Sequence, residues 1–128
     1  MMKMEVLKKL MLRIVKMNPD GFTFNPVENR FPFRGYAVAT HATQDCVGKT
    51  GLFRVIKFCL KHQDYCIGGW KNENGTIQFD ASKIYPTFQE AISAAIANKQ
   101  RAIFNLHTGK VILECNFHNY LDTDRAAA

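Results

Sequence analysis

Two tight turns fix most of what this chain can fold into. Residues 65–71 and 76–81 read as strands, and Asn72-Glu73-Asn74-Gly75 stands between them. An Asn-Gly pair favours a hairpin because both residues tolerate positive φ. Residues 101–106 and 110–116 form a second strand pair across His107-Thr108-Gly109. A hairpin joins antiparallel neighbours, so the expected sheet is mainly antiparallel.

Three amphipathic segments supply the helices. In 2–17, Met4, Val6, Leu7, Leu10, Met11, Ile14, Val15 and Met17 share one half of the helical wheel. Glu5, Lys8, Lys9, Arg13 and Lys16 share the other, the pattern of a helix with one buried face. Asn18-Pro19-Asp20-Gly21 ends it, since proline disfavours helix in the residue before it. The spacing of Leu52, Phe53, Ile56, Cys59 and Leu60 predicts a helix over 51–61, with Thr50 as its expected cap. Thr87 and Glu90 stand at capping-box spacing after Pro86 and open a third helix that runs to about residue 98.

Short strands at 21–25 and 33–40 complete the order α-β-β-α-β-β-α-β-β. That order predicts an α+β fold: two layers, with a mainly antiparallel sheet of β-hairpins covered by helices. The expected organisation is a separable basic helix at 1–17, one α+β domain at 18–121 and a frayed tail at 122–128.

The 128 residues are 47% hydrophobic and 22% charged, an ordinary globular composition. No apolar run reaches the roughly 18–20 residues that span a bilayer. Lys8, Lys9, Arg13 and Lys16 interrupt the apolar start, whereas a secretory signal keeps its apolar core unbroken. The expectation is an uncleaved, intracellular chain. Cys46, Cys59, Cys66 and Cys115 are too few and too irregular for a disulfide framework and are expected as reduced thiols.

The net charge of +6 is unevenly placed. Residues 1–17 hold five basic residues and one acid, so the helix carries most of it. That face (Lys8, Lys9, Arg13, Lys16) is a candidate partner-binding surface for a protein, a second copy or a phosphate backbone. An anionic membrane surface suits it least, because the helix lacks interfacial Trp.

Several chemical motifs are incomplete. Gly48-Lys49-Thr50 lies between a strand and a helix, but a phosphate-binding loop needs glycine where Thr43 stands. Cys59, His62 and Cys66 are close in sequence, yet no second ligand pair joins them. No metal site and no cofactor are expected. His41, Cys46 and Lys49 form a candidate small-ligand pocket, with a helix N-terminus beside the thiol. No protease signature accompanies them, and no catalytic residue is assigned. Asp45, Asp64, Asp80, Glu90 and Glu114 sit on separate elements rather than as a carboxylate pair.

One ordered set of residues carries a resemblance. It runs Gly21-Phe22-Thr23-Phe24-Asn25, Gly35-Tyr36-Ala37-Val38-Ala39, Ile67-Gly68-Gly69-Trp70, Phe79-Asp80, Glu90-Ala91 and Asn98-Lys99-Gln100-Arg101-Ala102-Ile103-Phe104. Over about residues 21–113 this order resembles a family of small uncharacterised proteins of bacteriophages and related mobile elements, including crAss-like phages of gut bacteria. Members often carry Asp where this chain has Asn105, so the resemblance implies that any activity resting on that carboxylate is lost here.

The resemblance implies a protein that acts in the host cytoplasm or rides in the virion and binds a macromolecule. Gly68 and Gly69 let backbone or ligand approach Trp70 closely, which makes Trp70 a second candidate contact. The expected function is therefore a small non-enzymatic binding or accessory protein working through protein–protein contact or self-association. Nucleic-acid binding through the basic helix is one alternative. A small-ligand protein or enzyme using Cys46, His41 and Lys49 is the other.

Overall fold

The structure, a computed structural model, describes residues 2–117; the expected tail at 122–128 lies outside them. Three α-helices and seven strands follow one another: α1 (Met4–Met17), β1 (Gly21–Phe24), β2 (Tyr36–Ala39), β3 (Cys46–Val47), α2 (Gly48–Lys61), β4 (Tyr65–Lys71), β5 (Ile77–Tyr85), α3 (Phe88–Ala97), β6 (Ala102–Asn105) and β7 (Lys110–Leu113). The chain is α+β, with an antiparallel sheet and helices layered on it. No helix among the described residues is long and apolar enough to cross a membrane.

The chain folds as two compact units. The first combines the chain up to Pro32 with Ala42–Ser82, and the second combines Phe33–His41 with the chain from Lys83 onward. β5 runs through both.

In the first unit the strand order is β1-β4-β5, and β3 also pairs with β5. β1 sets Gly21 opposite Trp70, Thr23 opposite Gly68 and Phe24 opposite Ile67. The turn between β4 and β5 forms where Asn-Gly predicts it: Gly75 takes φ +81°. The Asn72 side-chain oxygen accepts from the backbone N–H of Asn74 and Thr76, each at 3.0 Å.

α1 buries Leu7, Met11 and Ile14 at intervals of four and three residues. They join Leu52, Val55, Ile56 and Cys59 of α2 over Phe24, Ile67, Phe79 and Ala81 of the sheet. Asn18 stops α1 by donating its side-chain amide to the Ile14 carbonyl at 2.8 Å. At about 1.5–3 kcal/mol for each fully buried large side chain, this face is a main contributor to the first unit's core.

In the second unit β2 lies between the end of β5 and β6, and β7 follows β6. Tyr36 pairs with Asn105, and β6 pairs with β7 from Ala102–Leu113 to Asn105–Lys110. Thr87 caps α3 as its spacing predicts, its Oγ1 accepting from Glu90 N–H at 3.2 Å. α3 sets Phe88, Ala91, Ile92 and Ala95 over Val38, Ile103 and Ile112.

Several boundaries differ from the sequence expectation: β2, expected over 33–40, spans only Tyr36–Ala39, and β3 was not expected. α2 starts at Gly48, so Thr50 lies inside it, and Val47 at the cap makes no side-chain bond to the helix. β5 continues to Tyr85 because β2 lies beside it, a neighbour that local alternation does not reveal. β7 ends at Leu113, where Glu114–Asn116 turns into a 3-10 helix.

Candidate functional site

The basic face of α1 is only partly free. Lys9, Arg13 and Lys16 are exposed. Lys8 is engaged, its Nζ 3.4 Å from Glu5 and 4.6 Å from the centre of the Phe53 ring. The three exposed charges form a cationic strip on a helix whose other face is in the core.

The candidate ligand residues have different surroundings. His41 is exposed in a 3-10 turn of the second unit. In the first unit, Cys46 is 1% exposed and belongs to the apolar core. A thiol buried in apolar surroundings is inert as a nucleophile. Lys49 borders an apolar groove of about 250 Å³ lined by Leu12, Val15, Leu52, Ile77 and Phe79. Cys46 is not among the side chains that line it. No group of three or more His, Cys, Asp or Glu that could hold a metal comes together among the described residues.

Trp70 has a more built environment. β4 places Gly68 and Trp70 on the sheet face opposite Ile67 and the helices, and Asp80 of β5 lies over Gly68, where a Cβ would meet its Oδ1. Ser82 donates its hydroxyl to Asp80 Oδ1 at 2.7 Å. The Trp70 side chain lies close enough to this carboxyl to favour its charged form. Burial raises the Asp80 pKa above its ordinary 3.8, against the lowering effect of Ser82 and Trp70. Asp80 thus sits beside the indole, which stays half exposed near the end of β4. Sequence singled out Trp70 and its glycines; the alternation of Asp80 and Ser82 on the neighbouring strand was the available signal for the carboxyl beside them.

This geometry has a pH signature. A carboxyl with a raised folded pKa holds its proton more tightly when folded than when unfolded. Its contribution to stability therefore falls as pH rises from about 4 through the raised folded value. Asp80→Asn is expected to remove that fall, because an amide carries no charge to bury. Denaturant midpoints of both proteins across acid to neutral pH check this: the variant should gain on wild type as pH rises, and a constant difference would contradict it.

The second unit exposes a different feature. Along β6 and β7, Ile103 and Ile112 face α3, while Ala102, Phe104, Val111 and Leu113 alternate onto the opposite face. Val111 is 58% exposed and Leu113 is 52% exposed. β7 also ends the strand order, so among the described residues its outer edge pairs with no strand. An edge of this kind presents free backbone donors and acceptors beside apolar side chains, the usual template for strand addition. Sequence reading missed it because Val111 and Leu113 look like any inward pair until the register is known.

Compared with protein-family models, curated proteins and solved structures, the chain matches none of them.

Proposed function

We propose that the chain is a small non-enzymatic binding protein of bacteriophage or mobile-element type that docks another polypeptide through β7. Its site of action on this reading is the bacterial cytoplasm or the virion. The observation that carries it is the edge of β7, which among the described residues pairs with no strand, with Val111 and Leu113 standing exposed beside it. Soluble proteins usually blunt such an edge with charge, proline or a covering element. Here the two side chains on the exposed face of β7, Val111 and Leu113, are both aliphatic.

The ligand-pocket reading has less support, since Cys46 lies in the core. Nucleic-acid binding is favoured by one observation, the exposed strip of Lys9, Arg13 and Lys16 on α1. Phosphate contacts of that kind weaken steeply with salt.

Full-length protein immobilised in an extract of the host is expected to retain a defined polypeptide, and Val111→Lys is expected to lose it. Equal retention by both proteins would overturn the role of β7. A salt-dependent gel shift abolished by neutralising Lys9, Arg13 and Lys16 together would favour the nucleic-acid reading instead.

A further inference from the structure

β7 carries its own complement. Glu114 donates its backbone N–H to the Arg101 carbonyl at 2.7 Å, and the register sets Ile103 opposite Ile112 and Asn105 opposite Lys110. Directions alternate along an antiparallel strand. Ile112 and the N–H of Glu114 therefore face β6, the Lys110 N–H turns back to Thr108 Oγ1, and Val111 and Leu113 point their backbone groups outward. An added antiparallel strand must offer two outward-pointing residues at the same spacing.

A second β7 does this. With Val111 opposite Leu113 of the second copy, both residues exchange N–H and C=O bonds, and the two-fold axis repeats the exchange. In that register Lys110 falls opposite Glu114 of the second copy, again twice. Both side chains are exposed, and neither joins an ion pair among the described residues. Four residues apart on an extended chain, about 13 Å, they do not neutralise each other within one copy. Sliding the strands by two residues keeps the backbone bonds but separates the charges, so opposite-charge pairing selects one register.

We infer that the chain dimerises by antiparallel pairing of β7 with β7 of a second copy, about a two-fold axis at Ile112. This rests on the reading of β7 as a docking edge and names its occupant. The apolar strip of Ala102, Phe104, Val111 and Leu113 then continues across the axis into its copy.

Sedimentation of the full-length protein over a concentration series tests this. Wild type is expected to approach twice the monomer mass. Lys110→Glu and Glu114→Lys, each alone, place like charges opposite one another twice and are expected to weaken association by about tenfold. The double reversal restores opposite pairs and should recover the wild-type curve, a rescue that only contact between copies can produce. Val111→Pro removes an outward N–H while sparing the bonds to β6, as edge prolines do, and should give a monomer with an unchanged far-ultraviolet spectrum. If that variant misfolds, the charge series decides alone. A wild type that stays monomeric throughout, or a double reversal no better than the single ones, overturns the dimer. Loss of a different captured polypeptide in Val111→Lys would still leave β7 as a docking edge, so the two failures are distinguishable.

Discussion

Replacing Leu7 and Met11 together by alanine is expected to unfold the first unit or leave it marginal. Both side chains are fully buried on α1 against α2 and the sheet. Truncating a buried Leu or Met to Ala costs about 2–5 kcal/mol, and a whole domain has only about 5–15 kcal/mol to lose. The two sites are one helical turn apart and share neighbours, so their costs combine without adding strictly. Denaturant unfolding followed by far-ultraviolet circular dichroism measures it. Val6→Ala, on the exposed side of the same helix, is the control and should shift stability by less than about 0.5 kcal/mol. A double variant as stable as that control would mean α1 is dispensable. The practical consequence concerns binding tests: removing 1–17 would strip the core, whereas substituting Lys9, Arg13 and Lys16 alters only exposed charge.

Gly51→Ala separates two physical effects by sign. Alanine is the better helix former by about 1 kcal/mol, and Gly51 lies in α2, so propensity alone predicts a gain. Packing predicts a loss. A Cβ at Gly51 would stand 2.5 Å from the carbonyl carbon of Cys46 and 3.0 Å from its Cα. Those are backbone atoms of β3, and β3 is tied to β5 with Cys46 opposite Phe79. Relief therefore requires α2 to move off the strand. The expected result is a net destabilisation of about 1–3 kcal/mol, read as a lower denaturant midpoint. Lys57→Ala, exposed on the same helix, should be near neutral. A stabilised Gly51→Ala would show that α2 and β3 are less tightly apposed than this geometry requires.

Much of the fold was legible because its signals are local. Asn72-Glu73-Asn74-Gly75 and Thr87-x-x-Glu90 each define a turn or cap within four residues; the turn forms with positive φ at Gly75 and not at Asn74, and the cap forms from the Thr87 side. The apolar stripe of α1 was equally plain, but its partners in α2 and the sheet come from distant sequence. β3 was missed because two residues carry no periodicity. The same limit hid the role of Gly51, whose lack of a side chain matters only once Cys46 lies beside it. Trp70 stood out by composition and the spacing of its glycines. Its place beside Asp80 depends on strand register, and the edge position of β7 on strand order. Neither is written in any short window.

The division of the chain also sets an order of events. Residues 33–41 interrupt the first unit in sequence yet belong to the second. As the chain is made, β2 is complete before α2 or β4 exists, but Tyr36 must wait for Asn105 to pair. No residue of the first unit lies beyond Ser82. Its closure draws the ends of the 33–41 segment together and shortens the loop that β2 must close to reach β6, which lowers the entropic cost of that late contact. Completion of the first unit thereby prepares the second, and α1, the earliest element made, contributes to a step finished almost ninety residues later.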